Sequence, residues 1–251
     1  MVHNLSDSKS IVPYRRKTPQ VRLFCFPYAG GGASIFRIWN DILPEKIEIY
    51  AVQPPGRESR ISEAPIADVH VLVDELLSSL QDYLDMPFAF FGYSTGALVA
   101  FELARELRRK SLPSPLHLLV AAARAPHIPE PSPLHHLPEE ELVEGLKRFS
   151  GTPNAILENK EIMRLYIPII RADLAIEETY NHKKEDPLDI PISAFYGSND
   201  KEGPKDVMIP WNKYTSKEFL IHKIEGNHFF INSSTESLLS AISYDLERYC
   251  F

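Results

Sequence analysis

The sequence predicts an α/β protein: a mostly parallel central sheet with helices on both faces and a helical insertion late in the chain. Three observations carry this. Short, near-continuous apolar runs bounded by Pro and Gly alternate with segments whose apolar residues recur at three-and-four spacing, the pattern of right-handed βαβ crossovers over a sheet buried on both faces. The chain is 251 residues long with 44% hydrophobic and 24% charged residues, enough for one core that needs no disulfide or metal staple. One long stretch, residues 124–190, breaks the rhythm and carries no strand signal.

The elements follow in order. Residues 1–19 are polar and read as a flexible tail ahead of a single domain over 20–251. VRLFCF at 21–26 is a buried strand that runs into Pro27 and the glycines at 30, 31 and 32, and a helix is expected over 33–43. A second strand over 47–52 is closed by Pro54-Pro55-Gly56, and a long helix over 69–84 presents Val69, Leu72, Val73, Leu76 and Leu80 on one face. The third strand, 88–91, leads through Gly92 into a helix that buries Ala97, Ala100, Phe101, Ala104 and Leu107. Further strands are expected at 116–122, 192–196 and 219–224, with a terminal helix over 235–249. The insertion opens proline-rich at 125–131 and then forms helices over 139–148 and 159–180. At that length in a compact sheet protein it reads as a lid or binding element rather than a separate domain.

Charge and cysteine usage remove several classes of function. With 27 basic and 34 acidic residues the net charge is 27 − 34 = −7, which argues against a nucleic-acid partner. The basic cluster Arg108-Arg109-Lys110 closes a helix and complements its negative pole. Cys25 and Cys250 are too few for a disulfide framework and suit a reducing compartment. No apolar run approaches a membrane span and the first twenty residues hold no secretory core, so a soluble cytoplasmic protein is expected.

The chemistry starts at Gly92-Tyr93-Ser94-Thr95-Gly96, a G-x-S-x-G run in the strand–turn–helix context that such a nucleophile requires. Glycines on either side allow the sharp turn, and the serine lies at a helix N-terminus whose amides favour developing negative charge. The base and its orienting acid are expected later in the chain, in the order serine, acid, histidine, on loops after strands. Asp200 follows the strand at 192–196, and His228 sits on the glycine turn after 219–224. Ser94, Asp200 and His228 are therefore the candidate triad. Of the other histidines, His70, His117 and His222 fall within elements, and His3, His127, His135, His136 and His182 in the tail, the insertion or its flanks. None has metal-site spacing, and no metal is expected. The loop Pro27-Tyr28-Ala29-Gly30-Gly31-Gly32 lacks the G-x-G-x-x-G spacing of a dinucleotide site. It instead supplies an oxyanion-hole amide, Ala29 with Tyr28 as the alternative, and the amide of Thr95 supplies the other.

These motifs, with Gln53-Pro54-Pro55-Gly56-Arg57-Glu58, Pro168-Ile169-Ile170-Arg171-Ala172-Asp173 and Gly226-Asn227-His228-Phe229, cover nearly the whole chain. Through them it resembles the discrete type II thioesterases that accompany nonribosomal peptide and polyketide synthetases, within the α/β-hydrolase superfamily. The resemblance implies an α/β-hydrolase fold with a helical lid, and hydrolysis of acyl or aminoacyl thioesters carried on the phosphopantetheine arm of carrier proteins. It implies the same triad, no cofactor of the enzyme's own, acyl or peptidyl carrier domains as partners, and a monomer. Two departures stand beside the nucleophile: Tyr93 and Thr95 replace the family's usual histidine and methionine or leucine, so acyl preference is not carried over. Carrier proteins are typically acidic and the enzyme is itself negative overall, so attraction is expected to be local, through Arg57, Arg60 or Arg171. The residues also leave open a carboxylesterase or lipase acting on free esters, a catalytically silent ligand-binding homologue, and an acyltransferase in which an alcohol or amine replaces water.

Overall fold

The computed structural model describes residues 8–149 and 159–250. Its sheet has seven strands in the order β1-β3-β2-β4-β5-β6-β7: β1 (Ile11–Tyr14), β2 (Val21–Phe26), β3 (Ile47–Val52), β4 (Phe88–Tyr93), β5 (Leu118–Ala121), β6 (Ile192–Gly197) and β7 (Phe219–Ile224). Every neighbouring pair is parallel except β1 against β3. Residues β2 through β4 are buried throughout, as the unbroken apolar runs require of strands covered on both faces.

The order has a consequence for the site. From β2 the chain steps outward to β3 on one side, and from β4 it steps to β5, β6 and β7 on the other. The loops leaving β2 and β4 therefore diverge, and a crevice opens between the carboxyl ends of those two strands. The glycine loop after β2 and Ser94 after β4 both lie at that switch point.

Helices α2 (Val69–Leu80) and α3 (Thr95–Arg109) pack on one face with Phe24, Phe90 and Val120. Helices α1 (Trp39–Ile42) and α8 (Thr235–Cys250) cover the other, against Leu23, Ile49 and Phe91. Asp68 caps α2 by accepting from the amides of His70 and Val71 at 2.8 and 3.1 Å. The insertion contributes α4 (Glu139–Leu146) and α5 (Lys160–Glu178), which share a small apolar cluster of Leu134, Leu142, Met163, Ile167 and Leu174. Asn159 caps α5 through the amides of Glu161 and Ile162.

Three expectations are corrected. The tail over 1–19 is not wholly loose: Ile11–Tyr14 pair antiparallel with β3, from Ile11 opposite Val52 to Tyr14 opposite Ile49. Only four residues long and interrupted by Pro13, this strand carries a weak signal, and proline is tolerated there because an edge strand leaves one row of donors unpaired. The helix over 33–43 is instead a 3-10 turn at Ala33–Phe36 followed by the short α1. Phe36 and Trp39 pack edge to face at 5.0 Å, a three-residue repeat that suits the tighter helix. The helix over 139–148 ends at Leu146 and continues as a 3-10 turn through Phe149. Two further helices, α6 (Lys205–Met208) and α7 (Phe230–Ser233), are too short for periodicity to register.

Candidate active site

Ser94 occupies a backbone conformation that residues with a Cβ rarely adopt, φ 52° and ψ −124°. Its amide donates to the Ala121 carbonyl at 2.8 Å, and its own carbonyl accepts from Ala97 at 2.8 Å. The flanking glycines are required by close approach. A Cβ on Gly92 would stand 2.4 Å from Ala97 Cα, and one on Gly96 would stand 2.3 Å from the Phe26 carbonyl oxygen. The second contact brings the loop after β2 against the first turn of α3, so Ala29 and Thr95 border the same crevice. The Thr95 amide is one of the donors that a helix N-terminus leaves without an intrahelical partner.

The two other candidates converge on Ser94. His228 Nε2 lies 3.3 Å from Ser94 Oγ, and His228 Nδ1 lies 3.0 Å from Asp200 Oδ2 and 3.1 Å from Oδ1. The Asp200 side chain is fully buried, and its Oδ1 also accepts from the amides of Glu202 and Gly203 at 2.9 and 3.0 Å. Burial by itself raises the Asp200 pKa, but the hydrogen bond and charge of His228, with those two amides, outweigh it and hold the carboxyl below its usual 3.8. An ionised acid beside Nδ1 fixes the tautomer that leaves Nε2 free to take a proton from the serine.

Sequence reasoning missed what fixes the histidine loop. The Tyr93 hydroxyl donates to the His228 carbonyl at 2.6 Å and accepts from the Ile231 amide at 3.3 Å. Tyr93 thus ties the elbow at Ser94 directly to the loop of His228. Around the imidazole stand the rings of Phe149 from the insertion, 5.2 Å away, and Phe229, 5.4 Å away.

The structure also reassigns the arginines expected to meet a carrier protein. Arg57 is 4% exposed and forms a bidentate pair with Asp173 of α5, while donating to the Gly31 carbonyl at 3.1 Å. Asp173 in turn accepts from the Gly30 amide at 2.7 Å. Arg60 is 5% exposed and pairs with Glu75 at 2.7 Å and with Glu63. Arg171 donates to the His135 and Leu137 carbonyls. Arg57 and Arg60 are therefore structural, because burial leaves their charge satisfied internally. The signal was present as the paired motifs around Arg57 and Asp173, but nothing local tells that these residues meet each other.

Ser94 and His228 open onto a cleft that the insertion walls through Phe149, Ile170, Leu174 and Glu177. Among the described residues no three His, Cys, Asp or Glu side chains converge as a metal site would require. Cys25 is fully buried in β2 as a core residue.

A thioesterase-domain family model matches residues 21–246. The chain belongs to the thioesterase family. Linear gramicidin dehydrogenase LgrE of Brevibacillus parabrevis is 42% identical to this thioesterase over 92% of this chain and 89% of that one. RedJ, a thioesterase from the prodiginine biosynthetic pathway of Streptomyces coelicolor, superposes with a TM-score of 0.86 at 35% identity over 91% of this chain and 86% of that one. BorB, a type II thioesterase from the borrelidin biosynthetic cluster, superposes with a TM-score of 0.85 at 32% identity, covering 94% of this chain and 97% of that one. The thioesterase shares their fold, with a seven-stranded, mostly parallel sheet. The word dehydrogenase in the first of these names has no counterpart in the glycine loop of this chain, whose spacing is not that of a dinucleotide fingerprint.

Proposed function

We propose that this chain is a discrete type II thioesterase that hydrolyses acyl or aminoacyl thioesters held on the phosphopantetheine arm of carrier proteins in nonribosomal peptide or polyketide biosynthesis. Ser94 Oγ attacks the thioester carbonyl as His228 Nε2 takes its proton, and Asp200 stabilises the imidazolium. The amides of Ala29 and Thr95 hold the oxyanion, each worth roughly 3 kcal/mol of transition-state stabilisation. The tetrahedral adduct collapses with loss of the pantetheine thiolate, which takes the proton from His228, and leaves an acyl-serine. Water then attacks, its proton passing to His228, and the acid departs as Ser94 is reprotonated. The thioesterase works without a cofactor of its own, as a cytoplasmic monomer, with an acyl or peptidyl carrier domain as partner.

The observation that carries this reading is the unbroken Ser94–His228–Asp200 hydrogen-bonded series at the switch point of a sheet in the thioesterase family. The test is intact-mass analysis of an acyl-loaded carrier protein treated with wild type and with Ser94→Ala, with the matching simple ester in parallel. Wild type alone should strip the carrier, and faster than it cleaves the ester. A carrier that stays loaded across several acyl groups while the ester is cleaved makes the enzyme a carboxylesterase instead.

A further inference from the structure

The cleft at Ser94 contains four glutamates, and three already have close polar partners of their own. Glu130 pairs with Arg124 at 3.3 Å and Arg148 at 3.1 Å, and Glu202 pairs with Arg148 at 3.4 Å. Glu178 pairs with His135 at 2.7 Å and also accepts from the amides of Leu134 and His135. Glu177 differs. Among the described residues its carboxylate has one hydrogen bond, from the Thr95 hydroxyl 3.3 Å away, and no cation within ion-pair distance. Glu177 lines two cavities, and Ser94 lines both as well. A carboxylate is thus held against the side chain of Thr95, without a counter-cation among the described residues, in two cavities that Ser94 also lines.

We infer that Glu177 is a specificity residue: it receives the protonated α-amine of an aminoacyl thioester, so the enzyme favours aminoacyl over plain acyl substrates. The inference rests on the carrier-thioesterase reading above and narrows its substrate class. An α-ammonium sits one carbon from the carbonyl that Ser94 attacks, and the Thr95 amide is placed to hold that carbonyl's oxygen. Thr95 thus adjoins both reacting group and carboxylate. Burial, with the charge of Glu130, raises the Glu177 pKa against the smaller opposing effects of His228, Thr95 and Arg124, as expected of a carboxylate that lacks a cation until substrate brings one. The competing account is that Glu177 merely complements the N-terminus of α3 through Thr95. That role stabilises the fold but does not distinguish one acyl group from another.

The test compares carrier protein loaded with alanyl-phosphopantetheine and with propionyl-phosphopantetheine, which differ only in the amine. The readout is the ratio of their kcat/KM values for wild type, Glu177→Gln and Glu177→Asp. Wild type should favour the alanyl carrier, and Glu177→Gln should lower the ratio by about tenfold to a hundredfold. Glu177→Asp, which keeps the charge, should restore part of it. A ratio unmoved by Glu177→Gln overturns the inference, whether both rates fall together or neither does, and so does a wild type that prefers propionyl. If wild type strips neither carrier yet cleaves the simple ester, the carrier-thioesterase reading itself has failed and this one falls with it.

Discussion

The floor and the roof of the cleft are built from different forces. The floor, at the carboxyl ends of the strands, is held by backbone: Ser94 and Ala122 are locked by amide–carbonyl bonds to β5 and β6, and Ser198 and Asn199 by bonds to Ile224 and Gly226. The roof is held by side chains. The insertion has a small apolar cluster of its own, is tied within itself by Arg171 to two carbonyls and by Glu178 to two amides and His135, and is fastened to the loops at the strand ends by Arg57 to Asp173. The difference teaches where rigidity is invested. Reacting groups need positions fixed to a fraction of an ångström, which a hydrogen-bonded sheet supplies, whereas a wall that admits a long acyl arm can be assembled from separate fastenings.

This contrast can be broken from either side. The largest effect should come from the floor. Ser94→Ala should reduce turnover of the loaded carrier by on the order of 10⁴-fold or more, while calorimetry finds the melting temperature nearly unchanged, since the backbone bonds of the elbow remain. A large loss of stability in that variant would refute a floor held by backbone. At the roof, Asp173→Asn should give the opposite profile. It leaves Arg57 buried and unpaired, so denaturant unfolding should show a loss of about 3–5 kcal/mol, with a smaller fall in kcat/KM.

Acid should sharpen the comparison on the far side of the floor. His117, fully buried just ahead of β5 and 2.8 Å from Ser193 Oγ, has its pKa pushed by burial down to about 4. Unfolding lets it take up a proton already below its ordinary 6.5, so stability is full above that pH and is lost as pH falls from there towards 4, by up to about 3 kcal/mol. Melting curves across that window should be flatter for His117→Gln than for wild type. The smallest effect is expected at the side-chain tie between Tyr93 and the histidine loop. Tyr93→Phe removes the donor to the His228 carbonyl and should cost about 1–2 kcal/mol of stability, with kcat falling by about tenfold while KM changes little. A variant with unchanged kcat would show that the base needs no such anchor.

How much was legible follows the same division. Six of the seven strands announce themselves as local apolar runs, and Ser94, Asp200 and His228, read from chain order and loop placement, do fall within hydrogen-bonding distance of one another. What stayed hidden is non-local. Arg57 and Asp173 are 116 positions apart, and nothing near either residue tells that one neutralises the other, so Arg57 read as a surface charge. Tyr93 and Thr95 stood out only as unusual neighbours of the nucleophile. Their partners, the His228 carbonyl and Glu177, lie 135 and 82 positions away. The edge strand at 11–14 escaped for a different reason: its four residues include a proline, and its stability comes from β3, not from itself.

The carboxylate of Asp173 grips both Arg57 and the amide of Gly30, one residue past Ala29. The C-terminal half of α5 and the peptide after Ala29 therefore share one fastening, like a door whose hinge pin also holds the lock plate. The wall cannot shift at that point without dragging the glycine loop along. Farther out along the wall, in the first turns of α5, Leu165 and Tyr166 lie exposed. A single carboxylate thus couples the position of the wall to that of the glycine loop, so that neither is set independently of the other.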